Sequence, residues 1–206
     1  MKEIAGAFLV LPTIFDETGE IDDRGMANVV EWVIGCGCDG VVFPGLASEY
    51  DLLSLDERLA LIATIGDQAA GRVAFIAGCS GQSDAESATL IAAAARAGAA
   101  AAMIVTPARK GDDLDAIGDF YAELAEASSV PVMLQNAPRP MGLGLNTSQL
   151  VQVIERAPNI AYVKEENAPC GQRITMLRDA GVPQLRAIFG GAGGRYITDE
   201  LARGAE

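Results

Sequence analysis

The chain has 206 residues, half of them hydrophobic, and a formal net charge of −13, which is enough to bury one substantial core. The acidic balance argues against binding to nucleic acid or to an anionic membrane surface, because both require basic patches. The sequence has no histidine, and its four cysteines show neither a CxxC pair nor zinc spacing, so we predict no metal site. We interpret the cysteines as reduced thiols of an intracellular protein, with a disulfide as the alternative.

The apolar run from Ile4 to Phe15 is interrupted by Pro12 and is not followed by a small-residue cleavage site. It therefore predicts a first core strand rather than a signal peptide. A second apolar stretch, from Ala88 to Ile104, contains Arg96 and Gly98, which divide it into the end of a helix and a strand. We predict no membrane-spanning segment.

Short apolar runs rich in β-branched residues alternate along the whole chain with longer stretches of helical periodicity. The predicted strands are Ala7–Phe15, Gly40–Pro44, Val73–Gly78, Ala100–Thr106, Val132–Asn136, Ile160–Lys164 and Leu185–Phe189. The predicted helices are Asp23–Gly35, Leu55–Ala69, Asp84–Gly98, Leu114–Ser128, Thr147–Arg156, Gly171–Ala180 and Arg195–Arg203. Ser54 and Asn146 are predicted N-caps, and Gly35, Gly98 and Gly181 are predicted to close their helices.

Seven βα units in succession predict an α/β fold with a parallel sheet and right-handed crossovers. An open doubly wound sheet usually has a glycine-rich turn after its first strand, but here that strand ends in Thr13–Asp16 without a GxGxxG motif. A (β/α)8 TIM barrel fits better, and we predict a single TIM-barrel domain over residues 1–206. Because such a barrel needs eight strands, we expect that the eighth strand and any C-terminal helices are missing and that the natural chain continues.

Lys164 is the most informative single residue. It ends the apolar run Ile160–Val163 and is followed at once by Glu165 and Glu166. A lysine at the end of a buried strand is costly unless the site uses it, because burial favours the free amine. A free amine is the nucleophile that forms a Schiff base with a ketone. The alternative is a lysine that reaches solvent or pairs with one of the two glutamates.

Two glycine-containing turns are predicted at the same end of the sheet as Lys164. In Gly45–Glu49, small residues would let backbone N–H groups converge on a carboxylate, although an ordinary βα turn explains the same sequence. The tract Gly190–Gly194 follows the seventh strand, where barrels often bind phosphate, although a plain flexible turn also fits. Cys79 is a weak candidate for a nucleophile, because no histidine exists to activate it.

Taken together, these segments resemble the dihydrodipicolinate synthase / N-acetylneuraminate lyase family of class I Schiff-base aldolases and dehydratases. The similarity is co-linear and runs through Gly6–Phe15, Asp39–Gly45, Ser48–Glu49, Leu53–Ser54, Glu57–Arg58, Gly71–Gly78, Thr106–Pro107, Pro131–Pro138, Val163–Glu165 and Leu201–Ala205. The resemblance implies a Schiff-base role for Lys164 and a 2-oxo acid as the small-molecule substrate. It also implies a carboxylate site at the N–H groups of Leu46, Ala47 and Ser48, no cofactor or metal, a cytoplasmic location, and a homodimer or homotetramer.

The sequence departs from the family pattern at several positions. Leu46 and Ala47 stand where the family usually has two hydroxyl residues, and Gln135 stands in place of a catalytic tyrosine. The family's arginine in the fifth loop is displaced by one, to Arg139. Glutamine cannot titrate, so proton transfer would fall to a water held by Gln135, the Ser48 hydroxyl or a substrate group. Glu49 and Glu166 are weaker candidates.

These departures favour the branch that dehydrates 2-keto-3-deoxy sugar acids, of which the 2-keto-3-deoxy-L-arabonate dehydratases are the nearest example. In this interpretation Lys164 and Gln135 are catalytic, and Leu46, Ala47, Ser48, Arg139, Gly190 and Gly191 bind substrate. A pyruvate-dependent aldolase of the same family is the first alternative. A catalytically altered homologue that binds an oxo acid without turning it over is the second.

Overall fold

The structure is a computed structural model, and it describes residues 4–127 and 129–206. Its contacts divide the chain into two compact units, Met1–Ala102 and Met103–Glu206. Each unit is built from strands and helices that alternate along the chain. The expectation of a single domain over the whole length stays a prediction.

The first unit alternates three strands with three helices and then enters a fourth strand. The strands are β1 (Phe8–Val10), β2 (Gly40–Phe43) and β3 (Ala74–Gly78), and β4 (Ala101–Val105) begins here. The helices are α1 (Asp23–Gly35), α2 (Leu55–Ala69) and α3 (Asp84–Arg96). A short 3-10 turn, Leu46–Ser48, follows β2.

The second unit continues the same alternation from the end of β4. Its strands are β5 (Val132–Asn136), β6 (Ile160–Glu165) and β7 (Ala187–Phe189). Its helices are α4 (Leu114–Ala127), α5 (Thr147–Arg156), α6 (Cys170–Asp179) and α7 (Ile197–Ala202). Two 3-10 turns, Ala108–Lys110 and Ala192–Gly194, follow β4 and β7.

Within the described residues the strands form one seven-stranded sheet in chain order, β1 to β7. β1 pairs with β2 and β2 with β3 in parallel, and the same holds for β5 with β6 and β6 with β7. Parallel neighbours in chain order, each separated by a helix, are what a TIM barrel requires. The predicted fold class is therefore confirmed, with seven strands and no eighth among the residues described.

The helix boundaries follow from the predicted caps. The Ser54 hydroxyl accepts the Glu57 N–H at 3.3 Å, and the Glu57 carboxylate accepts the Ser54 N–H at 2.7 Å, which completes a capping box. Asn146 and Gln149 form the same reciprocal pair before α5. α1 ends at Gly35 as predicted, but Gly35 itself is still helical, and the left-handed glycine that follows the helix is Gly37 (φ 78°).

Other helix and strand boundaries differ from the predicted ones by a few residues. β1 is shorter than the predicted Ala7–Phe15, since Pro12 has no N–H to donate and Phe15 instead pairs antiparallel with Ile21. The predicted end of the fourth helix, Ser128, lies outside the described residues. No helix among those described combines the length and the apolar content needed to cross a bilayer.

The pairing of β5 with β6 contains one irregularity. Val132 lies opposite Ile160, but the next residue, Met133, lies opposite Tyr162. Ala161 is therefore an extra residue in β6, a bulge that bends the strand and shifts its register. Beyond the bulge the pairing is regular and brings Gln135 opposite Lys164.

Candidate active site

Lys164 lies on β6 and is largely enclosed, with 14% of its side chain exposed. Its Nζ atom lies 3.1 Å from Oε1 of Glu166. The predicted alternative of a pair with a neighbouring glutamate is thus present in the structure. An ion pair with Glu166 is compatible with a nucleophilic lysine, because a carboxylate beside an amine can accept a proton from it.

The position of Lys164 follows from the sheet. Successive side chains of a strand point to opposite faces, so Lys164 and Glu165 diverge. Lys164 is paired in register with Gln135 on one side and Phe189 on the other, and in a parallel sheet such neighbours share a face. Glu166 comes two residues after Lys164 and returns to that same face.

Glu166 joins the two predicted catalytic residues. Its Oε2 accepts the Nε2–H of Gln135 at 2.6 Å, while its Oε1 lies beside the Lys164 amine. The N–H of Ala192 also points at Oε1, at 3.4 Å. Only 11% of the Glu166 side chain is exposed. The structure therefore brings Lys164 and Gln135 together through a carboxylate that the sequence ranked as a weaker candidate.

The opposite face of the same strands carries a second polar cluster, formed by Asn136, Leu145, Glu165, Asn167 and Arg173. Glu165 accepts hydrogen bonds from the Asn136 and Asn167 side chains at 2.9 and 2.8 Å and from the Asn167 N–H at 2.8 Å. The Arg173 Nε lies 3.3 Å from Oε1 of Glu165, although its N–H is not aimed at that oxygen. The cluster is structural, because its carboxylate has its oxygens occupied by the protein.

The turn after β7 packs against two carboxylates. A Cβ atom added to Gly190 would lie 2.1 Å from Oε2 of Glu200, and one added to Gly191 would lie 2.4 Å from Cγ of Glu166. The backbone N–H of Gly191 is close enough to the Glu200 carboxylate to oppose in part the rise in its pKa that burial causes. These glycines therefore make room for acidic side chains of the chain itself. Their predicted contact with substrate stays a prediction.

Burial raises the pKa of Glu200 above its usual range, and the Gly191 N–H and the nearby Cys170 oppose this shift only in part. Burial, followed by the charges of Glu200, Glu165 and Glu166, raises the pKa of the Cys170 thiol. No pattern in the sequence pointed to Glu200, since a glutamate in a short helix is normally a surface residue.

The turn after β2, in the first unit, is held by hydrogen bonds of Gly45 and Ser48. The Ser48 N–H donates to the Gly45 carbonyl at 2.9 Å, and the Ser48 hydroxyl donates to the Leu11 carbonyl at 2.5 Å. The Gly45 N–H donates to the same hydroxyl at 2.9 Å. The first N–H groups of a helical turn have no partner within it, so the expectation that Leu46 and Ala47 bind a carboxylate is consistent with this turn. The Ser48 hydroxyl, by contrast, is committed to the backbone.

Three further candidates were named from the sequence: Arg139, Glu49 and Cys79. Arg139 is largely exposed and forms an ion pair with Asp112, so its predicted role in substrate binding gains no support from its contacts. Glu49, also exposed, has a left-handed backbone (φ 56°). Cys79 is fully buried, and burial raises the pKa of its thiol to about 12, which makes it a poor nucleophile at neutral pH. Over residues 4–127 and 129–206, no group of acidic or cysteine side chains is arranged to hold a metal ion.

The fold and Lys164 together define a class: a parallel βα fold of the TIM-barrel type with an enclosed lysine at the carboxyl end of its sixth strand. A sequence model of the dihydrodipicolinate synthetase family matches residues 3–193. The chain therefore belongs to that family, as the resemblance predicted.

Individual relatives agree with this assignment. The chain is 29% identical over 201 residues to the 4-hydroxy-tetrahydrodipicolinate synthase of Bartonella bacilliformis, covering 93% of this chain and 68% of the relative. It is 31% identical to the enzyme of the same name from Bartonella quintana, covering 82% of this chain and 58% of the relative. The chain thus spans about two thirds or less of the length of these relatives.

A solved structure shows the same fold. The chloride-inhibited dihydrodipicolinate synthase of Acinetobacter baumannii, complexed with pyruvate, superposes with a TM-score of 0.88 at 28% identity. The match covers 98% of this chain and 68% of that one. The TIM-barrel fold class rests on this superposition as well as on the order of the strands.

Proposed function

We propose that this chain is a class I lyase in which Lys164 forms a Schiff base with the ketone of a 2-oxo acid. The observation that carries the proposal is the enclosed Lys164 amine, 3.1 Å from a carboxylate at the end of β6. The names of the relatives and the pyruvate in the Acinetobacter baumannii structure support it. A protonated imine is an electron sink, so it eases loss of a proton from the adjacent carbon and then cleavage of a C–O or C–C bond.

For the substrate we propose a 2-keto-3-deoxy sugar acid that loses water. Gln135 lies beside Lys164 in register and can orient a hydroxyl or a water but cannot exchange protons with it. A sugar acid supplies its own hydroxyl as leaving group, so it does not depend on a tyrosine in strand five. The names of the relatives favour a second candidate, a pyruvate-dependent aldolase of the dihydrodipicolinate synthase type.

Trapping with borohydride tests the Schiff base. Protein incubated with pyruvate and sodium borohydride should gain a reduced adduct on the peptide that contains Lys164, seen by mass spectrometry, and Lys164→Ala should abolish it. An adduct-free wild-type protein would contradict the proposal. Incubation with 2-keto-3-deoxy-L-arabonate then separates the candidates, because dehydration gives a single oxo acid whereas an aldolase gives pyruvate and an aldehyde.

The cytoplasmic location and the homodimer or homotetramer are retained as proposals, as are the carboxylate contacts of the Leu46 and Ala47 N–H groups. The predicted contact of Ser48 is not retained, because its N–H already donates to the Gly45 carbonyl. Sedimentation equilibrium of the purified chain tests the assembly. For the carboxylate contacts, Ala47→Pro removes one backbone N–H and should raise the pyruvate concentration needed for half-maximal trapping.

A further inference from the structure

We propose that Glu166 is the acid–base catalyst of imine formation, carrying protons between the Lys164 nitrogen and the oxygen of the substrate ketone. The proposal rests on the Schiff-base function proposed for Lys164 and adds the group that moves the protons. It gives a specific role to a side chain that touches the reacting nitrogen.

The first support is distance. Oε1 of Glu166 lies 3.1 Å from Nζ of Lys164, within the range over which a positioned side chain can transfer a proton directly. Both side chains are mostly enclosed, with 14% of Lys164 and 11% of Glu166 exposed. Enclosure reduces competition from bulk water, so the carboxylate is the nearest described acceptor for the proton that the ammonium must lose.

The second support is how the carboxylate is held. Gln135 donates to Oε2 at 2.6 Å and thereby leaves Oε1 turned toward the amine. Gly191 has no side chain, and a Cβ atom there would lie 2.4 Å from Cγ of Glu166. Gln135 and Gly191 are therefore positioning residues, which act on the chemistry through Glu166.

The third support is that the side chains next to Glu166 are poorer candidates for carrying the proton. Gln135 has no titratable proton. Glu165 faces away from Lys164 and accepts hydrogen bonds from Asn136 and Asn167. Tyr162 lies on the Lys164 face two residues earlier, with its ring against Phe189, so Tyr162→Phe provides a direct comparison for any variant of Glu166.

Imine formation by this route conserves protons and electrons. Glu166 takes a proton from the Lys164 ammonium, the amine forms a C–N bond to the ketone carbon, and the C=O electron pair moves to oxygen. Glu166 gives its proton to that oxygen and takes one from the nitrogen. It then protonates the hydroxyl, which leaves as water when the C–O bond breaks. The net reaction converts an ammonium and a ketone into an iminium and water and regenerates the carboxylate.

The experiment measures the rate at which pyruvate forms the imine. Protein and pyruvate are mixed and quenched with borohydride at increasing times, and the adduct on the Lys164 peptide is quantified by mass spectrometry. Glu166→Gln should slow adduct formation on the order of 100-fold, the scale of general acid–base catalysis. The matched control is Glu155→Gln, which removes one negative charge from an exposed position on α5 and should leave the rate unchanged.

The two possible roles of Glu166 predict opposite outcomes. A carboxylate that is only a counter-ion takes no part in proton transfer, so trapping by Glu166→Gln would be at least as fast as in the wild-type protein. That result would overturn the proposal. The proposal would also fail if Tyr162→Phe formed the adduct slowly while Glu166→Gln formed it at the wild-type rate. Acceleration of Glu166→Ala by added formate would support it, since a small carboxylate replaces the lost group.

These outcomes also separate the two proposals. If wild-type protein forms no adduct with pyruvate, the Schiff-base function fails. If wild-type protein forms the adduct and Glu166→Gln forms it equally fast, only the role of Glu166 fails. Circular dichroism of each variant confirms that it is folded before its rate is compared.

Discussion

The two adjacent glutamates at the end of β6 lie in opposite surroundings. Glu165 is 1% exposed and receives hydrogen bonds from Asn136 and Asn167, with Arg173 close by. Glu166 lies on the other face of the sheet, with one oxygen held by Gln135 and the other beside the Lys164 amine. One carboxylate is saturated by the protein, and the other keeps an oxygen available to a reactive group.

Side-chain alternation thus separates stability from chemistry over two consecutive residues. Asn136 and Glu165 pair in register on the helix-facing side, and Gln135 and Lys164 pair on the other. Substitutions on the first face should therefore affect folding, whereas substitutions on the second should affect imine formation.

The strongest contrast should come from removing each carboxylate in turn. Glu165→Ala leaves Arg173, whose side chain is 17% exposed, without its charged partner, although the Leu145 carbonyl still accepts from it. Breaking a buried ion pair costs about 3–5 kcal/mol. Glu166→Ala should cost about 1–2 kcal/mol, because a lysine can lose its charge by releasing a proton whereas an arginine cannot. Urea denaturation measures both, and equal losses would contradict the separation.

The neighbouring amides provide the second test. Asn136→Ala leaves the Leu145 N–H and a Glu165 oxygen without their partners, at a cost of about 1–3 kcal/mol for each buried group left unsatisfied. The Leu145 carbonyl still accepts from Arg173.

Gln135→Ala leaves one Glu166 oxygen without its partner, so it should cost less stability than Asn136→Ala, about 1 kcal/mol. It should slow pyruvate trapping on the order of 10-fold, less than loss of the acid–base group itself. The opposite result, slow pyruvate trapping by Asn136→Ala and a large loss of stability in Gln135→Ala, would show that the two faces of the sheet have been assigned the wrong way round.

A weaker effect is expected at the turn after β7. Gly191→Ala places a methyl group 2.4 Å from Cγ of Glu166, so the carboxylate must shift and pyruvate trapping should slow several-fold. Gly35→Ala is the control, because nothing lies within 4 Å of a Cβ there and alanine is the better helix former. Trapping by Gly191→Ala at the wild-type rate would show that the position of Glu166 is not critical.

The least change is expected at the third carboxylate, Glu200. Because burial raises its pKa, the folded protein holds this proton more tightly than the unfolded chain does. The contribution of Glu200 to the free energy of unfolding is therefore fully present at a pH below the ordinary glutamate pKa. It is lost as the pH rises from that value to the raised pKa of the folded protein. Glu200→Gln should remove this decline. Urea midpoints measured between about pH 4 and about pH 8 check it, with exposed Glu123→Gln as the control that keeps the wild-type slope.

Much of the fold could be predicted from sequence, because local signals and the parallel pattern agree. α1, α2, α5 and β5 begin and end at the predicted residues, and for α2 and α5 the reason is a capping box that the sequence shows directly. The end of β1 was placed too late, because the prediction continued the strand through Pro12, which has no N–H to donate to a neighbouring strand.

The site could be predicted only in part. Lys164 stands out because burying an amine at the end of an apolar run is costly unless the amine has a chemical use. Glu166 was ranked low because the sequence does not show that Gln135 would hold its carboxylate beside the amine. Its spacing of two residues from Lys164 was the available signal. Glu200 carried no signal, since its burial depends on how α7 packs against the glycine turn after β7.

The extra residue Ala161 has a consequence for protein design. If β6 paired regularly from Ile160 onward, Lys164 would lie opposite Asn136 and its amine would enter the helix-facing layer. A backbone irregularity that carries no functional group thus determines on which side the nucleophile emerges. If the β6 sequence, Ala161 included, were copied onto an idealised strand without a bulge, Lys164 would point to the opposite face while Gln135 on β5 kept its place.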